Sequence, residues 1–315
     1  MKIGASYMGH HNPQHIETDI KEMVSLQMDD VLLAAQENDF IHYPGKLQLT
    51  ARIAKDHGIR PIIIFWGALN VFGGGRMSHF LLSHPEGFQV AKDGAHLPHG
   101  CYVNPVCVGR IQEMIDISAK YGFEGYFVDE PSPMRECFCA SCQKKFREIS
   151  GEDLLRAQPE MLERFRAQCV IDYVRHISDY CKANHPNMRT MCCLMPCDRS
   201  MWKACSEIKN LDEIGTDIYW INNDEDVENM RPLIRELDCF AKTQAKTHQE
   251  WLQCWDVRAG RENRIVEQGK VILQEPADAL YVWAWKGQIG TTESCDDPLA
   301  AWARVCEVFR MAKQK

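Results

Sequence analysis

The stretch RPIIIFW, residues 60–66, carries the strongest strand signal in this chain of 315 residues. A continuous run of β-branched and aromatic residues is typical of a parallel strand that is buried on both faces. The segment before it, residues 46–57, is predicted to be a helix, and Gly58 ends it. Outward from residues 60–66 in both directions, β-rich runs keep alternating with longer amphipathic segments. This alternation predicts an α/β protein with a parallel sheet.

The strand–helix pattern repeats eight times. The predicted strands are residues 2–7, 30–35, 60–66, 123–129, 189–195, 213–219, 250–255 and 279–285. The predicted helices are residues 16–28, 46–57, 108–121, 159–183, 200–210, 227–245, 262–274 and 299–313. Eight units in this length predict a closed (β/α)8 TIM barrel that spans residues 1–315 as a single domain. A long loop, residues 67–106, follows the third strand, and a Cys-rich loop follows the fourth.

A doubly wound open sheet is the alternative fold. Such a sheet normally has a glycine-rich phosphate-binding turn after its first strand. Here the first strand is followed by MGHHN at residues 8–12, which lacks that pattern. The sequence therefore favours the barrel.

The composition excludes several classes of partner. Lys plus Arg number 36 and Asp plus Glu number 44, so the formal net charge is −8, whereas a phosphate-binding surface needs a basic stripe. The longest apolar stretch, residues 61–72, is too short for a membrane span of about 20 residues. The first residues lack the apolar run of a signal peptide. We therefore expect a cytoplasmic protein with no nucleic-acid partner and no membrane partner.

Active sites of such barrels lie at the carboxyl ends of the strands, so the residues there are the candidates. These positions are rich in carboxylates and aromatic rings, which is typical of carbohydrate sites, since sugar C–H faces stack on rings and sugar hydroxyls bond to carboxylates. The candidate substrate-binding residues are Tyr7, His10, Glu37, Trp66, Tyr219, Trp220, Gln253, Trp255, Trp283, Trp285 and Lys286. The alternative for each tryptophan is a place in the core.

The fourth predicted strand ends in two adjacent acids, within the stretch GYFVDEP at residues 125–131. Cleavage of a glycosidic bond commonly uses two carboxyl groups, one of which protonates the leaving oxygen. We therefore expect Glu130 to be the general acid/base and Asp129 to orient or tune it. Because neighbouring strand residues point to opposite sides, only one of the two is expected to face the barrel mouth fully. An acidic pair that caps the next segment is the alternative.

Two residues are candidates for the second carboxylate. Asp217 lies beside two aromatic residues in the stretch GTDIYW, residues 215–220, and Asp256 follows the seventh strand. We favour Asp217. A separation of about 5.5 Å between the two carboxyl groups would predict retention of configuration, and about 9 Å would predict inversion.

Three of the 15 cysteines form the pattern C-x-C-x-x-C at Cys137, Cys139 and Cys142. Thiolates at this spacing are typical of a metal site, and tetrahedral zinc needs a fourth ligand. Cys101 or Cys107, both before or at the start of the third predicted helix, can supply it, and we favour Cys101. Four thiolates leave no open position, so we expect one structural zinc ion per chain. Free thiols are the alternative.

The region around these motifs resembles the glycoside hydrolase family 42 β-galactosidases, which are clan A-like (β/α)8 glycosidases. Residues 101–105 have the pattern C-x-x-N-P, a helix and a strand ending in the acid pair follow, and the C-x-C-x-x-C motif precedes Phe146. The resemblance covers residues 99–150 and extends to a broader group of barrel hydrolases with a D-E-P … C-x-C-x-x-C pattern. It implies that Glu130 is the acid/base and that Cys101 is the fourth zinc ligand. Since members of the family often form oligomers, it also favours a homo-oligomer.

The sequence departs from the family at two positions. Asp129 stands where the family has Asn before the acid/base. The family's nucleophile is a Glu at the end of the seventh strand, where this chain reads EWLQCWD at residues 250–256. Glu250 is then at the amino end of the strand, and Asp256 is at the carboxyl end but is the shorter acid. The resemblance therefore favours glycosidase chemistry more strongly than β-galactosidase activity.

The sequence thus predicts a glycoside hydrolase that acts on a carbohydrate substrate through two carboxylates. Two alternatives stay open. In the first, His10, Glu37 and Asp217 bind a catalytic divalent metal, as in a sugar isomerase, epimerase or lyase. In the second, the absent Glu on the seventh strand indicates a non-catalytic carbohydrate-binding barrel.

Overall fold

The computed structural model describes residues 1–74, 77–134, 136–222 and 225–315. The strands are β1 (Lys2–Tyr7), β2 (Asp30–Ala35), β3 (Arg60–Phe65), β4 (Phe88–Val90), β5 (His96–Gly100), β6 (Gly125–Asp129), β7 (Arg189–Leu194), β8 (Glu213–Asp217), β9 (Thr247–Gln253) and β10 (Ala279–Trp283). Eight of them pair in parallel and close into a barrel in the order β1-β2-β3-β6-β7-β8-β9-β10. The predicted (β/α)8 TIM barrel is confirmed.

Helices surround the barrel. They are α1 (Pro13–Ser25), α2 (Glu37–His42), α3 (Pro44–Asp56), α4 (His79–Ser83), α5 (Pro105–Lys120), α6 (Ala140–Ser150), α7 (Pro159–Asn184), α8 (Arg199–Ser206), α9 (Met230–Thr243), α10 (Asn263–Gln274) and α11 (Pro298–Gln314). Each predicted helix corresponds to one of these, whereas α2, α4 and α6 lie in segments that the sequence analysis treated as loops.

Several helices begin where the sequence combines a capping side chain with proline. Asn12 and Asn104 accept hydrogen bonds from backbone N–H groups in the first turns of α1 and α5, at 2.9 Å in both cases. Asp297 does the same for α11. Proline is the first residue of each of these helices, and its fixed φ suits that position. These local signals explain why helix starts are readable from the sequence.

The barrel has two apolar cores. One lies inside the barrel, where Phe127, Trp251 and Tyr281 fill the space between the strands. The other lies between the strands and the surrounding helices and contains residues such as Ile63 and Val282. Because alternate strand residues point to opposite sides, strands buried on both faces read as continuous apolar runs.

The long segment after β3 has structure of its own. It contains α4 and an antiparallel hairpin formed by β4 and β5, rather than the single loop that the sequence analysis expected. Cys101 follows β5, and its N–H donates to the carbonyl of Gly87 at 3.0 Å. The N–H of Phe138, in the loop after β6, donates to the carbonyl of Val90 at 2.7 Å. The hairpin is therefore fastened to the loop that follows the acid pair.

No helix in the described part of the chain is both long enough and apolar enough to cross a membrane.

Candidate active site and candidate metal centre

Two cavities adjoin at the carboxyl ends of the strands, where active sites of this fold lie. The residues of the inner cavity are Trp66, Gly73, Gly74, Asp129, Glu130, Tyr219, Trp255, Trp283 and Glu293. The outer cavity, of about 400 Å³, lies toward the β4–β5 hairpin. It shares Gly73, Gly74 and Glu130 with the inner cavity. Glu130 therefore stands at the junction of the two cavities.

Both acids at the end of β6 line the inner cavity; Asp129 is buried, whereas Glu130 is partly exposed and lines the outer cavity as well. Asp129 is the last residue of the strand, and Glu130 has a φ of +43°, in the left-handed region. The extended alternation therefore stops at Asp129, and the two side chains approach the same neighbour. A Cβ placed on Gly73 would lie 2.5 Å from Asp129 Oδ2 and 3.0 Å from Glu130 Oε2. Left-handed backbone at a non-glycine residue is uncommon and is frequent at functional sites.

Asp217 joins this pair from the end of β8. It is 3% exposed, and its carboxyl group is a neighbour of that of Glu130. Burial, and then the negative charge of Glu130, raise the pKa of Asp217 well above its usual value. The same two causes raise the pKa of Asp129. No Lys or Arg of the described residues forms an ion pair with any of the three acids.

Aromatic rings form much of the inner cavity wall. The rings of Trp66 and Trp283 have centroids 5.8 Å apart, and those of Tyr219 and Trp255 are 5.6 Å apart in an edge-to-face arrangement. Trp251 lies buried beneath them, 6.3 Å from Trp283. Trp66, Tyr219, Trp255 and Trp283, which are all candidates from the sequence, therefore line one cavity together with the acids. Their rings can stack on the apolar faces of a sugar ring.

Glu293 lines the inner cavity, and the sequence analysis missed it. It lies in the loop after β10, whose backbone is held at three points. The N–H of Asp256 donates to the carbonyl of Glu293 at 2.9 Å, that of Cys295 to Gly287 at 2.9 Å, and that of Asp296 to Val257 at 3.0 Å. The sequence signal for Glu293 is its place in the last loop at the carboxyl end of the barrel, but it lies ten residues beyond the end of β10 and so is not a strand-end residue.

Three predicted residues near β8 and β9 have other partners. Asp256 is exposed, and its side chain lies 3.5 Å from the amide of Asn222. Gln253 is buried; its Oε1 accepts from the N–H of Ile221 at 3.1 Å, and its Nε2 donates to the carbonyl of Trp255 at 3.2 Å. Trp220 packs against the core between strands and helices. The structure does not bring these three to the carboxyl cluster.

Four other predicted residues surround a separate cavity. Tyr7, His10, Trp285 and Lys286 all line it, together with Asp19. Asp19 accepts a hydrogen bond from the Tyr7 hydroxyl at 3.0 Å and lies 3.2 Å from His10 Nε2 and 3.4 Å from Lys286 Nζ. The structure therefore groups these residues around Asp19 rather than around Glu130.

Glu37 holds the segment after β3. Its carboxylate accepts hydrogen bonds from the Leu69 N–H at 2.8 Å, the Ser78 hydroxyl at 2.7 Å and the Phe80 N–H at 3.1 Å. His10 contacts Asp19, and Asp217 contacts Glu130. Among the described residues, these three do not form a metal-binding group, so the divalent-metal site considered from the sequence is absent there.

The four cysteines favoured from the sequence do come together. The Sγ atoms of Cys101, Cys137, Cys139 and Cys142 lie within 4.8 Å of one another, and all four residues are buried. The Sγ of Cys101 is 3.5 Å from that of Cys142 and 3.6 Å from that of Cys139. Tetrahedral thiolates about 2.3 Å from a metal have sulfurs about 3.8 Å apart, so the group can hold one metal ion. The Cys107 thiol instead donates to a backbone carbonyl at 3.2 Å.

No family model matches the sequence, and no curated protein matches it. Solved structures do share its fold. The β-galactosidase from the Antarctic haloarchaeon Halorubrum lacusprofundi aligns with a TM-score of 0.76 at 15% identity, over 98% of this chain and 58% of that one. The β-galactosidase from the psychrophilic Marinomonas ef1 aligns with a TM-score of 0.73 at 12% identity, over 99% and 60%. The chain thus spans about three fifths of the length of these two proteins.

A third solved structure matches nearly end to end. The endo-1,4-β-mannanase from Rhizomucor miehei aligns with a TM-score of 0.67 at 10% identity, over 100% of this chain and 95% of that one. At 10–15% identity the likeness shows the fold, the (β/α)8 barrel of these glycosidases. Membership of family 42 in particular stays a prediction.

Proposed function

We propose that this protein is a glycoside hydrolase. The observation that carries the proposal is the cluster of Asp129, Glu130 and Asp217, which have no cationic partner among the described residues. Asp129 and Glu130 line an aromatic-walled cavity at the carboxyl ends of the strands, and Asp217 is a neighbour of Glu130. Buried acids that only support a fold are normally paired, whereas shifted acids in a cleft are typical of active sites. The shared fold with known glycosidases supports the same reaction class.

Glu130 is the general acid in this proposal. A glycoside bound across the inner and outer cavities would place its bridging oxygen beside the Glu130 carboxyl group. Glu130 gives its proton to that oxygen as the C–O bond breaks, water supplies the hydroxyl that the sugar gains, and the remaining proton of water returns to Glu130. Burial raises the pKa of Asp129 and of Asp217, which limits the negative charge of the cluster.

Glu293 is the better candidate for the second carboxylate. The two carboxyl groups of a glycosidase are about 5–9 Å apart, with the sugar between them. Asp217 is a neighbour of Glu130 but is not among the residues that line the inner cavity. Glu293 lines the inner cavity from a different loop, together with Glu130. We therefore assign the second role to Glu293 and treat Asp217 as a positioning residue, in place of the preference for Asp217 drawn from the sequence.

We also propose that the four cysteines bind one structural zinc ion. Four thiolates complete a tetrahedral shell, so the ion has no open position for substrate and its contribution is to the fold. It joins Cys101 at the end of the hairpin to the loop that follows Glu130. Metal analysis of purified protein is expected to give about one zinc per chain, and Cys142→Ser is expected to lose it. Absence of zinc, with thiols that react freely with a thiol reagent, would contradict this.

One observation favours a second function, a carbohydrate-binding barrel without catalysis. The last residue of β9 is Gln253, and its amide is committed to the neighbouring backbone. A barrel that had lost its catalytic carboxylate at this position would still keep the aromatic wall that binds sugar.

The two functions are separated by sugar release. Wild type and Glu130→Gln would be assayed on a panel of 4-nitrophenyl glycosides and natural disaccharides, with galactosides and mannosides included. Loss of the proton donor is expected to reduce kcat/KM on the disaccharides by about 10²–10⁴-fold. Glu86→Gln, a change in the segment after β3 outside both cavities, serves as the matched control.

Each outcome decides between the proposals. Release by wild type and by Glu86→Gln, with little from Glu130→Gln, supports the hydrolase and identifies the sugar. Equal release by all three removes Glu130 from the mechanism. Sugar binding by calorimetry without turnover on any glycoside would favour the binding barrel.

A further inference from the structure

The outer cavity contains polar groups that the proposed hydrolysis does not use. Gln89, on β4, lines this cavity and is 3% exposed. Its Nε2 donates to the carbonyl of Gly100 at 2.9 Å, whereas its Oε1 is buried and has no hydrogen-bond partner in the described part of the chain. An unpartnered buried oxygen costs free energy, and such groups are uncommon in folded proteins. Gln89 Oε1 is therefore an acceptor that no donor of the described residues satisfies, in a side chain that lines the outer cavity.

His99, on β5, provides a second acceptor in the same cavity. Its Nδ1 lies 2.7 Å from the carbonyl oxygen of Asn70, so Nδ1 carries the proton in the neutral ring and donates it there. Nε2 is then an acceptor. The other side of the cavity is held in place by Tyr102, whose hydroxyl lies 2.9 Å from the carbonyl of Val71 and 3.2 Å from that of Ser132. The hairpin thus offers two acceptors on a wall that is anchored to the loop after Glu130.

The two cavities differ in chemistry on either side of Glu130. The inner cavity has a wall of four aromatic rings, whereas the outer cavity has an amide and an imidazole on its hairpin side. Its volume of about 400 Å³ is within the range of sites for small ligands. The acceptors on the hairpin side complement hydroxyl groups, which are the main donors of a neutral sugar.

We propose that the outer cavity binds the leaving group of the substrate, and that this group is itself a sugar, held through its hydroxyls by Gln89 and His99. The proposal rests on the proposed hydrolase function. In it, the sugar whose glycosidic bond is cleaved lies in the inner cavity, the leaving sugar lies in the outer cavity, and Glu130 lies beside the bond that joins them. The substrate is then a disaccharide or oligosaccharide rather than the glycoside of a small apolar alcohol.

The test compares leaving groups on the same sugar. Wild type, Gln89→Leu and His99→Asn would be assayed on lactose against 4-nitrophenyl β-galactoside, and on mannobiose against 4-nitrophenyl β-mannoside. Asn at position 99 keeps a donor for the Asn70 carbonyl but lacks Nε2. Because the nitrophenyl group has no hydroxyl, each variant is expected to lower the ratio of kcat/KM on the disaccharide to kcat/KM on the aryl glycoside by about tenfold.

His96→Asn is the matched control, since His96 is exposed on the same strand and does not line either cavity. Its ratio is expected to equal that of wild type. A fall on both substrates by the same factor, or an unchanged ratio in Gln89→Leu and His99→Asn, would overturn the proposal. Wild type that cleaves aryl glycosides but no disaccharide would overturn it while leaving the hydrolase function standing. Wild type that cleaves no aryl glycoside and no disaccharide of the whole panel would overturn both.

Discussion

The two ends of the barrel hold buried acids in opposite arrangements. At the amino end, Asp30 is fully buried, with Arg60 Nε 2.5 Å from its Oδ1 and the Tyr281 hydroxyl donating to its Oδ2 at 2.8 Å. Glu213 forms an ion pair with Arg189 at the same end. At the carboxyl end, Asp129, Glu130 and Asp217 are neighbours of one another, and none of the three forms an ion pair with a Lys or Arg of the described residues.

The difference shows what burial does to an acid with and without a cation. Burial raises the pKa of Glu213 to about 7, although Arg189 opposes the shift. Burial and the charge of Glu130 together raise the pKa of Asp129 and of Asp217 well above the usual range. At Glu213 a cation opposes the effect of burial, whereas Asp129 and Asp217 have no such cation among the described residues and retain their protons more strongly for chemistry. The amino end is therefore structural, and the carboxyl end is the candidate active site.

Removal of the metal is expected to change the stability of the protein more than any other change considered. It tests whether the carboxyl end of the barrel depends on the zinc-bound thiolates, as the amino end depends on its ion pairs. If zinc is present at about a thousand times its Kd, its loss costs about 4 kcal/mol of unfolding free energy. The metal-free protein is expected to melt at a lower temperature and to release less sugar. Circular dichroism melts with and without a chelator measure the first effect. Cys142→Ser should melt alike in both conditions; an unchanged wild-type melt after verified zinc removal would contradict the prediction.

Breaking an ion pair at the amino end should cost stability but not chemistry. Arg60→Met leaves Asp30 buried without its cation, so the free energy of unfolding is expected to fall by about 3 kcal/mol. Sugar release per folded molecule should not change, because the pair lies at the opposite end from the cavities. Urea unfolding measures the loss, and Arg164→Met, an exposed arginine on α7, is expected to stay within about 0.5 kcal/mol. If Arg60→Met lost activity but kept normal stability, the interpretation that the amino end is structural would be wrong.

Neutralising an acid at the carboxyl end is expected to raise the stability of the protein and to lower its activity. Burial raises the pKa of Asp217, so folding disfavours its charged form and stability is lost as pH rises from about 4 through the pKa of the folded state. Asp217→Asn removes this cost. We expect its unfolding free energy to exceed that of wild type by about 1–2 kcal/mol at pH 8, with the difference vanishing near pH 4.

The measurement is urea unfolding from pH 4 to pH 8, with sugar release assayed in parallel. A variant that is more stable and less active fits a positioning residue. If Asp217→Asn and wild type were equally stable at every pH, burial of the charged form of Asp217 would not cost the protein stability.

The smallest effect is expected at Asp256, which follows β9 but is exposed and bonded to Asn222. Asp256→Asn keeps a side chain that tolerates the left-handed backbone found there, with φ of +48°. Its kcat/KM on a 4-nitrophenyl glycoside should stay within about twofold of wild type, whereas Glu293→Gln should fall well below it. A large loss in Asp256→Asn would return Asp256 to the list of catalytic candidates.

The comparison also shows why sequence predicted some of the site and not the rest. Asp129, Glu130 and Asp217 were found because each lies at or just after the end of a strand whose apolar pattern is local. Glu293 was missed because nine residues separate it from the end of β10. Tyr7, His10, Trp285 and Lys286 were chosen by the same strand-end rule, but the packing of α1 against the last loop gathers them around Asp19 instead.

By itself the sequence determined the alternation of strands and helices, the acid pair that ends β6 and the C-x-C-x-x-C motif, because each depends on residues close together in the chain. Only the tertiary structure decided the rest. It brought Glu130 and Asp129 to the same cavity, brought Cys101 rather than Cys107 to the other thiols, and placed Glu293 among the residues that line the cavity. These outcomes depend on how loops from distant parts of the chain pack against one another, and no local pattern of residues encodes that packing.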